Sequence, residues 1–198
     1  MFAACEMSNS EIYDESYFEE RYVDYEAALT GQSAQWRINF YRALLAVASR
    51  LARGRRLLDV GCGLGEFLEA ARQAGWEAEG LDISEAACRV ASERTGCPTR
   101  ACELGPDTYA PSSFDAVAAI DLLEHLPDPR ATLGHIRTIL KPDAVLVVVT
   151  PNLNGLSTRL FGAANYALDA SSAGPGHVQF FSPRSLGSLL QLTGFEVV

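Results

Sequence analysis

Leu57-Leu58-Asp59-Val60-Gly61-Cys62-Gly63-Leu64-Gly65 is the stretch that decides the fold. An apolar strand runs directly into three glycines spaced two apart. A tight turn there brings backbone close to a ligand, where a Cβ would clash. The helix opened by Glu66 then points its N-terminus at whatever sits above the strand. A second short strand, Glu77–Leu81, is followed by Asp82, 21 residues beyond Gly61. A carboxylate at that point can accept hydrogen bonds from two ribose hydroxyls. Capping the next helix is the alternative use of the same side chain. Ile83 beside it would face one side of a purine.

The glycines read GxGxG, not the GxGxxG of a dinucleotide loop. Asp59 and Glu66 flank the turn. Two carboxylates there would repel a pyrophosphate and would suit a cation such as a sulfonium or an ammonium. Both acids also have structural uses: Asp59 can bond loop amides, and Glu66 improves a helix N-terminus.

Outward from this turn the chain alternates. Strands are expected at Arg56–Val60, Glu77–Leu81, Thr99–Cys102, Phe114–Ile120 and Ala144–Val149. Helices are expected at Glu66–Gln73, from the cap Ser84 to Arg94, at Pro129–Leu140, and after Ser182-Pro183. Phe195–Val198 reads as the start of a further strand. This order predicts an α/β fold with a Rossmann-like, doubly wound, mostly parallel sheet. Upstream, Trp36, Phe40, Leu44, Val47 and Leu51 recur at a helical period, and Gly54 stops that helix. Before it, Tyr13, Tyr17, Phe18, Tyr22 and Tyr25 interleave with acids. Residues 1–54 are therefore read as an N-terminal helical cap segment and 55–198 as the ligand-binding domain. The segment 151–181 is too long for an ordinary connection and is read as a lid-like insertion over the crevice.

Bulk properties narrow the function. The 198 residues carry a formal net charge of −9, with 48% hydrophobic and 21% charged residues. A packed core is possible, and no general attraction to nucleic acid or anionic membrane exists. The five cysteines are odd in number and form no CxxC, so a disulfide scaffold is not indicated and a reducing, cytoplasmic setting fits. No secretory leader or membrane-length apolar run is seen. No Cys/His spacing suggests zinc, and no metal is expected. The glycine turn lacks the Lys-Ser/Thr ending of an NTPase loop. Asn152-Leu153-Asn154 is not the Asn/Asp-Pro-Pro-aromatic motif of nitrogen-directed nucleic-acid methyltransferases.

Together, Leu57–Gly65, Gly80-Leu81-Asp82-Ile83-Ser84 and Phe114-Asp115-Ala116-Val117 resemble the class I S-adenosylmethionine-dependent methyltransferases. Leu123-Glu124-His125-Leu126-Pro127-Asp128-Pro129 and Gly176-His177-Val178-Gln179-Phe180-Phe181-Ser182 are similar to the ubiquinone-biosynthesis O-methyltransferase-like branch. The resemblance implies that S-adenosylmethionine is bound and S-adenosylhomocysteine released. It implies that Gly61, Cys62, Gly63 and Gly65 pass under the methionine part, with Asp59 acting through the loop and the ammonium. Asp82 and Ile83 match the ribose acid and the adenine neighbour. Cys102 stands where an acid often meets the adenine amine, with Glu103 as the substitute. Asp121 and Leu122 match the methionine end. An N-terminal aromatic segment covers the cofactor in this family, and Tyr17 is the candidate contact.

Methyl transfer to a hydroxyl needs a base. Only His125, His135 and His177 are available. His125, just past a strand end, is a candidate base or positioning donor; bonding a neighbouring backbone group is the other reading. His177 is a candidate catalytic or rim residue, and His135 a structural one. Arg37 and Arg42 could bind an anionic part of substrate or cofactor; ordinary surface roles are the first reading. The expected activity is methyl transfer to a small molecule, at a hydroxyl of a phenol, quinone precursor or sugar. Nucleic acid is not expected as a partner, and a monomer or homodimer is. Three rivals stand: a carbon- or nitrogen-directed methyltransferase, including one acting on modified RNA; an NAD-dependent oxidoreductase; and a non-catalytic S-adenosylmethionine-binding protein. The resembled sheet has seven strands, so the C-terminal strand is expected to be missing from this chain.

Overall fold

The two central strands of the sheet, Arg56–Val60 and Phe114–Ile120, are cut largely from apolar residues that alternate between two cores. In the computed structural model, which describes residues 35–155 and 177–198, Leu57 packs with one cluster and Leu58 with the other. Ala116 and Ala118 join the first, and Val117 the second. That period of two is what a strand covered on both faces requires.

The elements run α1 (Gln35–Leu51), β1 (Arg56–Val60), α2 (Glu66–Gln73), β2 (Glu77–Asp82), α3 (Glu85–Thr95), β3 (Thr99–Ala101) and β4 (Phe114–Ile120). A single 3₁₀ turn (Leu123–His125), α4 (Pro129–Ile139), β5 (Leu140–Val149) and α5 (Pro183–Leu192) complete the series. The strand order is β3-β2-β1-β4-β5, and every pairing is parallel. The first core holds Leu45 and Ala48 of α1, Phe67, Leu68 and Ala71 of α2, and Ala91 of α3. The second holds Leu133, Ile136 and Ile139 of α4, with Leu186, Leu189 and Leu190 of α5 packed against it. Helices on both faces and a reversal of strand order between β1 and β4 give the doubly wound α/β architecture that the sequence predicts. Ligands in such sheets lie above the strand ends at that reversal.

The caps follow the expected chemistry. Ser84 accepts from Ala87 N at 3.2 Å, and Asp128 accepts from Arg130 N and Ala131 N ahead of Pro129. Ser182 and Ser185 form a reciprocal capping box at the start of α5. At the other end of the sheet, Asp115 is 7% exposed. It accepts from Arg56 N at 3.0 Å and Lys141 Nζ at 2.9 Å. A Cβ on Gly54 would lie 2.4 Å from the Asp115 carboxyl, so glycine there makes room for this buried acid. Burial pushes the carboxyl up, but Lys141 and the Arg56 amide more than offset it, and the net shift is downward.

Two expectations are corrected, on α1 and on the C-terminal residues. The face of α1 that packs inward carries Tyr41, Leu45 and Ala48, with Ala52 just beyond its end. Trp36, Phe40, Val47 and Leu51 point outward, Trp36 at 66% exposure. Small Ala48 allows close approach to the sheet, and Tyr41 meets Phe67 edge-on at 5.4 Å between ring centroids, so the helix turns its larger residues away. β5 is half-buried along most of its length, because among the described residues it pairs only with β4. Phe195–Val198 forms no strand. Tyr17, the other N-terminal aromatics and the middle of the 151–181 insertion lie outside the described residues. The two ends of that insertion meet: Asn152 bridges Phe181, and Leu153 N donates to Phe181 O at 2.8 Å.

Candidate functional site

The turn after β1 is built from backbone that only glycine accepts easily. Gly61, Gly63 and Gly65 have φ of 76°, 49° and 80°, all in the left-handed region. Gly61 N and Cys62 N both donate to Leu81 O, at 2.7 and 3.0 Å, which ties the turn to β2. A Cβ on Gly61 would lie 3.0 Å from Leu122 Cδ1, so the turn also touches the loop after β4. The glycine turn, the end of β2 and the end of β4 thus line one crevice.

Asp82 stands at its centre. Oδ2 accepts from Gly63 N at 2.9 Å, and Oδ1 accepts from Ser84 N at 3.0 Å. A carboxylate offers about four lone-pair positions, so acceptor capacity for a ligand remains. Burial raises the Asp82 carboxyl, against the lowering effect of the Ser84, Gly63 and Ile83 amides. Asp59 is 2% exposed. Burial first, and the charge of Asp82 second, push it up to about 8. A buried carboxyl of this kind favours a cation nearby. Ile83 and Leu122 are half-buried on the crevice wall, Cys102 is half-buried, and Glu103 is exposed. Cys102 N donates to Asp82 O at 2.9 Å.

Cys62 turns its side chain away from the crevice. The residue is 6% exposed and its thiol lies against β2, where a Cβ on Gly80 would come within 2.7 Å of Sγ. A hydrogen bond with Cys88 and burial hold the thiol well above its usual range. Only the Cys62 backbone belongs to the turn's ligand face. Glu66, read as a possible cation partner or a helix-end acid, is 7% exposed and accepts from Arg37 at 2.9 Å. Arg37 is therefore no simple surface residue: α1 brings it to the start of α2. Its charge reaches Tyr41 and Asp121.

The loop after β4 carries the second half of the site. Asp121 adopts a left-handed φ of 49°, uncommon for a residue with a side chain. Its carboxyl is raised by burial and lowered by His177 and then Arg37. Three residues on, the Glu124 side chain is almost fully enclosed at 1% exposure. Its Oε2 accepts from Thr150 Oγ1 at 2.9 Å. Burial above all holds its carboxyl up at about 7. The Glu124 carbonyl accepts from Val178 N and Gln179 N, and Gln179 Nε2 donates to Leu126 O at 2.7 Å. These bonds pin the chain at His177 over the 3₁₀ turn. The His125 and His177 rings consequently meet, 4.9 Å between centroids at 63°. One ligand atom from each of Glu124, His125 and His177 lies within 4.8 Å of the other two, so these three can hold a cation. His135 stands apart, with Nδ1 3.0 Å from Leu104 O.

The sequence pattern alone pointed to His125 and His177 but not to their meeting, and it missed Glu124 and Thr150 as members of the site. The Glu124-His125 adjacency at a strand end was the available signal. Among the described residues, no helix is long and apolar enough to cross a membrane.

Known proteins agree with this architecture. A family described as a methyltransferase domain matches residues 33–198. A ubiquinone biosynthesis O-methyltransferase of Ralstonia nicotianae is 32% identical over 151 residues, covering 72% of this chain and 63% of its own. The chain thus spans less than two thirds of that relative. A solved S-adenosylmethionine-dependent methyltransferase of Archaeoglobus fulgidus superposes with a TM-score of 0.64 at 25% identity, over 80% of this chain and 69% of the other. The [4+2]-cyclase SpnF shares the fold at a TM-score of 0.62 and 24% identity, over 79% and 57%, so this scaffold also serves other chemistry. A glycine turn, a strand-end acid and a crevice at the sheet's reversal, together with a family match over most of its length, establish that this chain belongs to the methyltransferase-domain family.

Proposed function

We propose that the protein transfers a methyl group from S-adenosylmethionine to a hydroxyl oxygen of a small molecule of the phenol, quinone-precursor or sugar type. The observation that carries this reading is the two-sided crevice. A glycine turn with Asp82 forms one wall, and the Glu124–His125–His177 cluster forms the other. The ubiquinone-biosynthesis relatives support an oxygen acceptor.

S-adenosylmethionine supplies an electrophilic methyl carbon on a sulfonium, with a thioether as the leaving group. The chain's part is to bind, orient and move a proton. Asp82 uses its remaining lone pairs on the ribose hydroxyls, and Ile83 lies against the purine. Cys102 and Glu103 sit on the adenine side. The Gly61–Gly65 backbone passes under the methionine part. The buried Asp59 stands behind the turn, where a bound ammonium would draw its carboxyl toward the ionised form, and Arg37 favours the cofactor's carboxylate. Asp121 and Leu122 bound the methionine end. The acceptor enters beside His125 and His177. An acceptor hydroxyl held there would lose its proton to this cluster. Tyr17 remains the proposed contact from the N-terminal segment.

Incubating the full chain with isotopically labelled S-adenosylmethionine and a panel of phenols, catechols and sugars tests the reading. Label is expected in an O-methyl ether. Label found on carbon or nitrogen, or none with S-adenosylhomocysteine bound, would overturn it.

A further inference from the structure

We propose that Cys62 and Cys88 are an oxidation site, joined into a disulfide by hydrogen peroxide, and that this bond weakens cofactor binding by pulling the glycine turn toward α3. The second half rests on the S-adenosylmethionine reading; the first half does not.

The position of the two thiols carries the proposal. Cys62 lies inside the glycine turn, and Cys88 lies on the face of α3 that packs against that turn. Ala91, one helical turn beyond Cys88, sits so close that a Cβ on Gly65 would lie 2.9 Å from its Cβ. Gly80 leaves the space that Cys62 Sγ fills, since a Cβ there would come within 2.7 Å of the sulfur. The two thiols are hydrogen-bonded to each other, and Cys88 Sγ also reaches Asp82 O at 3.8 Å. Side chains that already touch can be joined by a local adjustment, which thiols on distant elements cannot.

The pair is chemically unequal. The thiolate, not the thiol, attacks a peroxide. The hydrogen bond with Cys62 outweighs burial and the Asp82 charge, and it holds the Cys88 thiol below its usual range. Cys62 is held above its own. Cys88 is therefore the attacking sulfur. Its attack on one peroxide oxygen breaks the O–O bond and leaves a sulfenic acid. The departing hydroxide takes up the proton that Cys88 had lost and becomes water. Cys62 sulfur then attacks Cys88 sulfur; the S–S bond forms, the S–O bond breaks, and the Cys62 proton leaves with that oxygen as a second water. Two thiols and one peroxide give one disulfide and two waters. Cys62 and Cys88 are 6% and 5% exposed, so the oxidant has to be small. Hydrogen peroxide meets that requirement, and glutathione disulfide does not.

The turn transmits the effect. Cys62 precedes Gly63, whose N–H donates to Asp82 Oδ2 at 2.9 Å. A bond that draws Cys62 toward α3 strains this contact, and with it the placement of Asp82. The coupling is reciprocal: a ligand that prefers the dithiol form stabilises that form by the same factor.

The test uses the full chain, reduced and then treated with graded hydrogen peroxide. Tryptic digestion without reduction, read by mass spectrometry, should find residues 57–72 linked to residues 73–89, lighter than their sum by two hydrogens. Calorimetric affinity for S-adenosylhomocysteine should fall by at least about 10-fold on oxidation and return with dithiothreitol. Saturating S-adenosylhomocysteine should raise the pair's reduction potential by about 30 mV for each tenfold of that loss. Glutathione disulfide should form the link far more slowly than peroxide. Cys88→Ser should bind S-adenosylhomocysteine as the reduced wild type does and lose no affinity with peroxide. Sulfinic or sulfonic acid in place of the link, or a link to Cys97 or Cys102 instead, overturns the pair. A Cys62–Cys88 link with unchanged affinity, or a peroxide effect that persists in Cys88→Ser, overturns the coupling. Formation of the link in a chain whose reduced form binds no S-adenosylhomocysteine leaves the oxidation site standing and sinks the cofactor reading instead.

Discussion

Gly65 is where backbone conformation and packing meet most tightly. Its φ is 80°, and an added Cβ would lie 2.9 Å from Ala91 Cβ and 3.2 Å from Thr95 Cγ2. Left-handed strain costs roughly 1–2 kcal/mol and overpacking about 1–3 kcal/mol. Gly65→Ala should therefore lower stability by about 2–5 kcal/mol, read as a shift of the urea midpoint without a change in slope. Asp59 makes a different prediction. Its carboxyl is raised to about 8 in the fold, so between the ordinary carboxylate range and pH 8 the native state holds a proton that the unfolded chain has lost. Stability from this group is then fully present at low pH and declines as pH rises toward 8. Melting temperatures of the wild type and Asp59→Asn, compared from pH 5 to 8.5, should show a downward slope in the wild type that the variant loses in part. An identical slope in both would remove Asp59 as its source. At this scale the sequence was readable wherever the requirement is local. Glycines at a turn and an acid at a strand end announce themselves. The direction of Cys62 does not, because it depends on Gly80, 18 residues away, leaving room for its sulfur.

Helix α1 shows why an apolar stripe can mislead. Trp36, Phe40, Val47 and Leu51 form a good helical face by composition, yet they are exposed. The inward face was chosen by three fits that no periodicity contains: Ala48 against the sheet, Tyr41 on Phe67, and Arg37 on Glu66. The Arg37–Glu66 pair is 2.9 Å long, with side chains 14% and 4% exposed. Removing one partner takes this ion pair from the other in a poorly solvated place, at a cost of up to about 3–5 kcal/mol. Arg37→Leu alone should be destabilising by about that amount in chemical denaturation. Arg37→Leu with Glu66→Leu should recover part of it, because the buried carboxylate that lost its ion pair is then removed as well. If the double variant is no better than the single, the pair is not what positions α1. The 3₁₀ turn at Leu123–His125 illustrates the opposite limit of sequence reading. His125 and His177 are 52 positions apart, and only the bonds from the 178–179 amides to Glu124 O bring them together.

For the molecule as a whole, the alternating order of strands and helices was legible, and so was the placement of the ligand crevice at the reversal between β1 and β4. Parallel strands buried on both faces leave long apolar runs, which is why Leu57–Val60 and Phe114–Ile120 could be located at once. The strand expected at Phe195–Val198 had only apolar character to recommend it, and those four residues form no ladder. The architecture commits the crevice to a nucleoside-bearing cation more firmly than it commits the acceptor. Asp82 joins the glycine turn to β2 through Gly63 N and Ser84 N, and the buried Asp59 stands behind it. The most direct test is a calorimetric titration of the full chain with S-adenosylmethionine, S-adenosylhomocysteine and NAD, repeated on Asp82→Ala. The account predicts saturable binding of the first two and little or none of NAD. It predicts that Asp82→Ala weakens that binding by at least about 10-fold, equivalent to about 1.4 kcal/mol. Tighter binding of NAD than of S-adenosylmethionine, or affinity indifferent to Asp82, would contradict it.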